Sequence, residues 1–506
     1  MTISTRSQAK TRAESDAIVS PESLPIIRLP LRFEGDDRRV IVRPLILGST
    51  RVMSVLGRVA RFDEPTVERL LARVLAGFGQ RHENLEQVFD SHFARAATLT
   101  GFTCDWSLTR RRLAGSYFSM EYAIDSAALF NPSIVPHFDQ TGLDEGSLRF
   151  IMSLRATGEG HLSSIVFRTG VISRELDLTI DPPPPTLHTA RVDPDHRYEA
   201  ALFRRKLGEM GVTGEAVDRV MQSLPPEGFT IAELSAAIER VRPSIPSDAR
   251  EALRAMQWLA NSNYHIRLAR RAQLSELVIF PMSEEEARGI EDLRLVQFHD
   301  NGTVRYFGTY TAYNGMRTLP MIVETSDFHR IDVHTLNGPA ATNKGFALFP
   351  RKIGGRFVMC SRIDGENLYI SESEYVHFWE SAQRLRAPKN AWELVQLGNC
   401  GSPIETPEGW VLLTHGVGPM RSYAIGAMLL DRNDPLKVIG HLDEPLITPV
   451  GEEREGYVPN VVYTCGALLH AGHLFVPYAQ ADKSTSMAVV AMDELINRLL
   501  DSRPGA

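Results

Sequence analysis

Cysteine is scarce in this chain, and the few cysteines present lie far apart. The 506 residues include four of them, Cys104, Cys360, Cys400 and Cys465, with no two at close spacing. Zinc ribbons and disulfide frameworks need closely spaced cysteines, so this distribution excludes both and favours buried free thiols. We therefore expect a reducing, cytoplasmic location.

Long apolar runs and an excess of basic charge are also missing. No segment approaches the roughly 20 apolar residues of a membrane-spanning helix, and residues 1–20 lack the apolar centre of a secretory signal. The formal net charge of −7 argues against a nucleic-acid-binding protein, because such proteins neutralise phosphates with basic residues. We expect neither a membrane nor a nucleic acid as partner, and we predict a disordered tail over residues 1–20.

The composition and length of the chain predict a globular protein with two or three domains. Hydrophobic residues make up 43% and charged residues 23% of the sequence, and the length exceeds that of one ordinary core. Residues 21–185 form a region that mixes strand-like and helical patterns. Near its start, Glu34-Gly35-Asp36-Asp37 separates two strand-like runs, residues 25–33 and 40–47, which predicts a β-hairpin.

The chain then changes character twice, at about residues 186 and 260. Residues 186–259 read as a helical segment, in which Thr230 and Glu233 have the spacing of a capping box. From residue 260 to 500, short β-rich runs alternate with turn residues. Roughly 240 residues divided among five units gives about 48 per unit, the length of a four-stranded propeller blade. The residues alone leave a sandwich, a barrel and a propeller open.

A short acidic motif stands out in the β-rich part. The stretch Gly289-Ile290-Glu291-Asp292-Leu293-Arg294 places two carboxylates before an apolar run. Side chains alternate across a strand, so Glu291 and Asp292 are predicted to face opposite ways. Basic residues and histidine follow in Phe349-Pro350-Arg351-Lys352 and Leu413-Thr414-His415-Gly416. One acid opposite several cations suits a site that cleaves a bond with phosphate as the attacking group.

Further motifs accompany these three. They are Ser262-Asn263-Tyr264, Tyr310-Thr311-Ala312-Tyr313, Asn343-Lys344-Gly345, Asp364-Gly365-Glu366-Asn367, Gly401-Ser402-Pro403-Ile404-Glu405, Tyr457-Val458-Pro459-Asn460-Val461-Val462 and Tyr478-Ala479-Gln480-Ala481-Asp482. Together the motifs resemble glycoside hydrolase family 130, the β-mannoside phosphorylases and β-1,2-mannosidases. The N-terminal half is similar to the extension of the longer 1,2-β-oligomannan phosphorylases.

The resemblance implies a fold and a reaction. The fold is mainly β, with residues 260–500 as a five-bladed β-propeller catalytic domain behind an N-terminal mixed α/β extension that contains a helical segment. The reaction is an inverting phosphorolysis of β-1,2-linked mannosides, which consumes inorganic phosphate and releases α-mannose 1-phosphate. The resemblance selects Asp292 as the acid, acting through a hydroxyl of the bound mannose. Its pKa is expected to be raised, as an acid working near neutral pH requires.

The other site residues also follow from the matched motifs. The implied phosphate ligands are Lys352 and His415, with the adjacent Arg351 as a further cation and Lys344 and Arg421 as weaker candidates. Polar groups that hold sugar hydroxyls are expected among Asn263, Arg294, Tyr310, Asp364, Asn367 and Asp482. Asp364 and Asn367 fit a tight turn equally well. We expect no metal and no organic cofactor, a mannose-containing oligosaccharide and phosphate as partners, and an assembly that could be a homo-oligomer, as is common in the family.

Two other functions stay open at this stage. An inverting β-1,2-mannosidase needs a second carboxylate to activate water, and Glu366 and Glu405 are candidate bases. A non-catalytic glycan-binding propeller is the third reading, because a propeller fold alone does not establish a function.

Overall fold

The first half of the chain mixes strands with two groups of helices. The structure, a computed structural model, describes residues 24–184, 186–268 and 273–501, so the tail predicted for residues 1–20 lies outside the described residues. The elements up to the helical segment are β1 (Ile27–Arg28), β2 (Val40–Pro44), α1 (Ser49–Val59), α2 (Glu64–Phe78), α3 (Leu85–Thr100), α4 (Leu108–Ser116), β3 (Ser119–Ala123), β4 (Ala128–Pro136), β5 (Leu148–Thr157), β6 (Ser163–Ile172), β7 (Leu178–Ile180), β8 (His188–Thr189) and β9 (Arg191–Val192).

The helical segment and a long series of strands complete the chain. The helices are α5 (Ala200–Glu209), α6 (Glu215–Gln222), α7 (Ile231–Val241) and α8 (Arg250–Ser262). The remaining elements are β10 (Tyr264–Arg267), β11 (Leu277–Ile279), β12 (Gly289–Asp300), β13 (Thr303–Tyr313), β14 (Thr318–Thr325), β15 (Arg330–Thr335), β16 (Lys344–Leu348), β17 (Phe357–Arg362), β18 (Leu368–Ser373), β19 (Gln383–Arg386), β20 (Gln396–Asn399), β21 (Ile404–Glu405), β22 (Trp410–Val417), β23 (Tyr423–Leu430), β24 (Val438–His441), β25 (Val462–Tyr463), β26 (Leu468–His470), β27 (His473–Gln480), β28 (Ser484–Ala491) and α9 (Met492–Asp501). The fold is therefore mainly β.

Side-chain caps set where several helices begin. The Asp63 carboxylate accepts a hydrogen bond from the Thr66 backbone N–H at the start of α2, and Ser107 caps α4 in the same way. The capping box predicted for Thr230 and Glu233 is confirmed at the start of α7. Each such cap typically stabilises a helix by ~1 kcal/mol.

Each group of helices has its own apolar core. Leu56 and Leu113 are fully buried among α1–α4, and Leu207, Leu234 and Leu259 are fully buried among α5–α8. Burial of one such side chain contributes roughly 1.5–3 kcal/mol, so each group is stabilised mainly by its own packing. Within the described ranges, none of the helices combines the length and the apolar character needed to cross a bilayer.

The hairpin predicted around Glu34-Gly35-Asp36-Asp37 is wrong. Strand β2 pairs with β3, and β1 pairs with β28 near the other end of the chain. Phe33 and Ile41, one from each of the two predicted runs, are buried in a core that also contains Val489. The turn signal comes from neighbouring residues, but the apolar side chains on either side of the turn are buried against strands that are remote in the sequence.

Most of the described strands fall into five sets, within which neighbouring strands pair antiparallel. Strands β2 and β3 form a separate pair, and the short strands β8, β9 and β11 pair along the edges of the first two sets. Four strands before the helical segment, β4, β5, β6 and β7, form the first set, and β12–β15 with β10 form the second. The first two sets meet where Gly289 of β12 pairs with Ser163 of β6. Strands β16–β19 form the third set, β20–β24 the fourth, and β25–β28 with β1 the fifth.

Strand pairing and packing join the two halves of the chain. Strand β4 packs against both β12 and β27, and β1 extends the last set. The sheets therefore cross the boundary that the sequence places at residue 260. The division of the chain into domains stays a prediction.

Candidate functional site

A cavity of about 190 Å³ lies where all five strand sets come together. Its charged and hydrogen-bonding lining comes from both halves of the chain and includes Asn131, Arg155, Glu291, Asp292, Arg294, Tyr310, Lys344, Arg362, Gln396, His415, Arg421, Tyr463 and Asp482. Seven of the predicted site residues are in this set: Asp292, Lys344, His415, Arg294, Tyr310, Asp482 and the weaker candidate Arg421. Within the described part of the chain, no group of three His, Cys, Asp or Glu side chains is arranged to hold a metal ion.

Asp292 lies at a β-bulge in β12. The pairing with β13 shifts register between Glu291 and Arg294, and the backbone φ of Asp292 is +57°. A bulge interrupts the alternation of side chains, so Glu291 and Asp292 both face the cavity, contrary to the prediction. A positive φ at a residue other than glycine costs about 1–3 kcal/mol and persists only where the surroundings enforce it, as often at active sites.

The Asp292 carboxylate is held by two residues from the first half of the chain. Asn131 Nδ2 donates to Asp292 Oδ1 at 2.7 Å, and Arg155 Nη1 donates to the same oxygen at 3.4 Å. Arg155 Nη2 also donates to Glu291 Oε1 at 3.0 Å, and Lys344 Nζ lies 3.8 Å from Glu291 Oε2. Sequence reasoning missed Asn131 and Arg155, although each is a polar residue within a mostly apolar strand, β4 or β5.

The charge around Asp292 favours its ionised form. Burial raises the pKa of Asp292, but the cations Arg155, Lys344 and Arg294 and the hydrogen bond from Asn131 outweigh burial and lower the pKa below its ordinary value. The expectation of a raised pKa for Asp292 is therefore wrong for the protein without a bound ligand. An anion bound beside the same cations would offset their charge and raise the pKa of Asp292.

Asp482 has the opposite tendency. Burial and the nearby Asp292 carboxylate raise its pKa to about 6, against the opposing charges of Arg155 and Arg421. Two of the cavity's carboxyl groups, Asp292 and Asp482, therefore differ in proton affinity, a common feature of acid–base sites.

Replacement of Asp482 by Asn should stabilise the fold at pH 7.5 and have less effect near pH 4.5. The pKa of Asp482 is higher in the folded than in the unfolded chain, so ionisation destabilises the fold progressively as the pH rises from about 4 to 6, and fully above that range. We expect Asp482→Asn to raise the Tm by roughly 2 °C at pH 7.5, measured by thermal unfolding. The exposed Asp144→Asn, which makes the same change outside the cavity, is the control. An equal shift at both pH values, or a lower Tm at pH 7.5, would contradict the prediction.

His415 lines the cavity as a neutral side chain that contacts Arg362. Arg362 Nη1 donates to His415 Nε2 at 3.0 Å, and His415 Nδ1 donates to the Asn399 carbonyl at 3.2 Å. These partners assign the proton to Nδ1. Burial, with Arg362 and Arg294, holds the pKa of His415 well below its ordinary value. The imidazole therefore orients Arg362 and adds no positive charge of its own.

Positive charge exceeds negative charge in the cavity. Five cations, Arg155, Arg294, Lys344, Arg362 and Arg421, face three carboxylates, Glu291, Asp292 and Asp482. The Nε atoms of Arg294 and Arg362 are buried and have no hydrogen-bond partner among the described residues. Cations with unpaired donors can bind an anion, so the arrangement suits an anionic ligand.

Lys352 and Arg351, predicted to bind phosphate, do not line this cavity. Lys352 Nζ lies 2.9 Å from Asp300 Oδ2, and Arg351 makes two hydrogen bonds to Glu405, at 2.9 and 2.6 Å. Both residues follow the end of β16, whereas Lys344 begins that strand in the cavity. A strand advances roughly 3.3 Å per residue, which separates Lys352 from the site. This placement corrects the sequence-based assignment.

Three predicted sugar ligands also lie outside the cavity. Asn263 Oδ1 accepts hydrogen bonds from Lys206 Nζ at 2.6 Å and from the Thr335 backbone N–H at 3.1 Å, so Asn263 joins α8 to β15. Asp364 Oδ1 accepts from the Asn367 backbone N–H at 2.9 Å, in the tight turn that the sequence left as an alternative. Their polar groups are used to stabilise the fold.

Comparison with known proteins identifies relatives of the second half. The sequence model of glycoside hydrolase family 130, described as beta-1,4-mannooligosaccharide phosphorylase, matches residues 260–501. A 1,2-beta-oligomannan phosphorylase of Thermoanaerobacter sp. (strain X514) is 33% identical over 227 residues, which are 44% of this chain and 75% of that protein. A beta-1,2-mannobiose phosphorylase of the same strain is 34% identical over 221 residues, 42% of this chain and 70% of that protein.

A solved structure shows a partial likeness over more of the chain. The beta-1,2-mannobiose phosphorylase from Listeria innocua, in complex with beta-1,2-mannobiose, aligns with a TM-score of 0.45 and 22% identity, over 75% of this chain and 93% of that one.

The family match begins after Asn131 and Arg155 in the sequence, so it does not include them. The two Thermoanaerobacter relatives exceed 30% identity and are covered over more than two thirds of their length. The chain is therefore an enzyme of glycoside hydrolase family 130.

Proposed function

We propose that the chain is an inverting phosphorylase that cleaves β-1,2-linked mannosides with inorganic phosphate and releases α-mannose 1-phosphate. The observation that carries this proposal is the excess of two positive charges in the cavity, five cations against three carboxylates. A phosphate dianion balances that excess, whereas a water molecule does not. Relatives named 1,2-beta-oligomannan phosphorylase and beta-1,2-mannobiose phosphorylase support the choice of linkage.

We also propose that the five strand sets are the blades of a five-bladed propeller. Strand β4 supplies Asn131 to the site cavity and Ile134 to a second cavity of about 320 Å³. Strand β12 likewise supplies Asp292 to the site cavity and Leu295 to the second one. The residues at and just after β16, β20 and β25 also contribute to both cavities. Five strands that share two cavities fit an arrangement around one central channel. In this arrangement β4–β7 are a blade, so the propeller includes residues before 260.

In the proposed reaction Asp292 supplies the proton. Phosphate binds beside the cations, and its negative charge raises the pKa of Asp292 towards that of a working acid. A phosphate oxygen forms a bond to the anomeric carbon from the face opposite the leaving group, and the glycosidic C–O bond breaks. The leaving oxygen takes a proton from a mannose hydroxyl, which is reprotonated by Asp292. No second carboxylate is needed, because phosphate is already a nucleophile.

We assign the remaining residues by their contacts. Arg362, positioned by His415, binds phosphate together with Lys344 and Arg421. Asn131 and Arg155 hold the Asp292 carboxylate in the cavity. Arg294, Tyr310 and Asp482 provide the polar surface for sugar hydroxyls.

The geometry argues against a hydrolase that uses Glu366 or Glu405 as its base. Glu405 is bound to Arg351 and Arg432, and Glu366 belongs to the exposed turn beside Asp364, so neither candidate base lines the cavity. A hydrolase would have to use one of the other two carboxylates of the cavity, Glu291 or Asp482, to activate water.

A comparison of reactions with and without phosphate tests the proposal. We expect the protein to convert β-1,2-mannobiose to mannose and α-mannose 1-phosphate in equal amounts when phosphate is present, and to release almost no mannose without it. Proton NMR of the first product formed gives the anomeric configuration, and β-1,4-mannobiose serves as the linkage control. Mannose released equally with and without phosphate, and no sugar phosphate, would establish a hydrolase instead.

A further inference from the structure

Two aromatic side chains outside the cavity lining stack on each other near the residues that do line it. His161 lies in the turn between β5 and β6, and Tyr457 immediately precedes Val458, which lines the cavity. Their ring centroids are 5.1 Å apart and their planes are inclined by 25°. Both side chains are exposed, Tyr457 to 64%. An exposed stacked pair contributes little to a core, so its flat surface is available to a ligand.

The turn that carries His161 is fixed by its neighbours. Tyr122 Oη donates to the backbone carbonyl oxygens of Glu159 and Leu162, at 3.0 and 3.1 Å. His161 itself has a φ of +58°, which a non-glycine residue adopts only where its surroundings enforce it. The strand that enters this turn, β5, carries Arg155, the partner of Asp292. The backbone at His161 is therefore fixed in the turn that follows the strand carrying Arg155.

The loop that carries Tyr457 is anchored beside Asp482. The Val458 backbone N–H donates to the Ala481 carbonyl at 2.9 Å, and Asp482 is the next residue in the chain. Val458 and Asp482 both line the cavity. Tyr457 is thus the neighbour in the chain of a residue that lines the cavity.

The cavity itself is too small for an oligosaccharide. Its volume of about 190 Å³ is below the ~300–1,000 Å³ of pockets that enclose a whole ligand of drug-like size. The sugar units beyond the reacting bond must therefore lie outside the cavity, against its rim. Aromatic rings present flat, apolar faces that suit the C–H faces of sugar rings.

We propose that His161 and Tyr457 form a stacking platform for the mannosyl units that extend from the cavity, so that the enzyme favours chains longer than mannobiose. This inference rests on the proposed function. It identifies these two residues as the ones that make the enzyme prefer longer substrates. His161 precedes the part of the chain matched by the family, residues 260–501, so this half of the platform comes from the N-terminal region.

Steady-state phosphorolysis of two substrates tests the platform. We expect the wild-type protein to have a higher kcat/KM for β-1,2-mannotetraose than for β-1,2-mannobiose. Tyr457→Ala and His161→Ala should each lower kcat/KM for the tetraose about tenfold, mainly through KM, with mannobiose changed by less than about twofold. Tyr457→Phe should retain the tetraose rate, because it keeps the ring. Tyr117→Ala, which removes an exposed tyrosine after α4, is the control and should change neither substrate.

The outcomes separate this inference from the proposed function. Wild-type phosphorolysis of either substrate judges the proposed function alone. If mannobiose is phosphorolysed but the Ala variants retain the tetraose rate, or lose both substrates equally, the platform is overturned and the proposed function stands. If the wild type forms no sugar phosphate from either substrate, both are overturned.

Discussion

Replacement of Asp292 by Asn should lower kcat for phosphorolysis by about 10²–10⁴-fold, the usual contribution of a general acid. The amide oxygen of the variant can still accept the hydrogen bond from Asn131, so the bulge in β12 should be preserved. The amide cannot supply a proton to the leaving group. Initial rates of α-mannose 1-phosphate formation, with thermal unfolding of both proteins, measure the two effects separately.

A matched variant and a different leaving group sharpen this test. Asp300→Asn makes the same change on the same strand, at a carboxylate that pairs with Lys352 outside the cavity, and should leave kcat within about twofold. A β-mannosyl fluoride needs little protonation of its leaving group, so Asp292→Asn should react with it at close to the wild-type rate. Equal losses on the fluoride and on mannobiose would assign Asp292 to binding and not to acid catalysis.

The sequence predicted the local structure well and the long-range pairing poorly. The capping box at Thr230 depends on residues three positions apart, so the sequence contains all the information required. The hairpin prediction at residues 34–37 failed because the turn signal is local, whereas the partners of β1 and β2 are β28 and β3. No pattern within a run of ten residues identifies a partner far along the chain.

For the candidate site too, the sequence predicted some residues and missed others. Sequence analysis identified Asp292, His415 and five other residues that the fold brings into one cavity. Strand alternation failed at Glu291 because a bulge interrupts it, and a bulge depends on the pairing with β13. Asn131 and Arg155 could not be assigned because their role follows from the packing of β4 and β5 near β12. Lys352 was wrongly assigned to the phosphate site because a motif shows which residues are neighbours in sequence. It does not show at which end of a strand they lie.

The second large effect concerns Arg362, which the sequence did not single out. Arg362→Met should raise the KM for phosphate by about 10–100-fold, the loss of one charge-assisted contact, with a smaller effect on the KM for mannoside. Arg362 is buried next to His415 and Arg294, and burial lowers its pKa, so the guanidinium is partly desolvated and available to an anion. Phosphate-dependence curves at saturating mannoside measure the change.

The fold should tolerate this replacement. Methionine has a similar length, and removal of a buried charge that lies near another cation, Arg294, is often neutral for stability. An unchanged Tm for Arg362→Met would show that the kinetic change arises in the site. Arg362→Lys should recover part of the phosphate affinity, because it restores the charge but not the two-pronged hydrogen bonding.

Lys352→Met is the decisive comparison for the phosphate site. The sequence motif favours Lys352 as a phosphate ligand, whereas the geometry pairs it with Asp300 and places Arg362 in the cavity. We expect Lys352→Met to leave the KM for phosphate within about twofold, because its ion pair with Asp300 is partly exposed to solvent and lies outside the site. A large rise in that KM for Lys352→Met, with none for Arg362→Met, would contradict the assignment. The pair of variants therefore tests whether the phosphate site follows the three-dimensional arrangement or the motif, and the unpaired Nε of Arg362 favours the former.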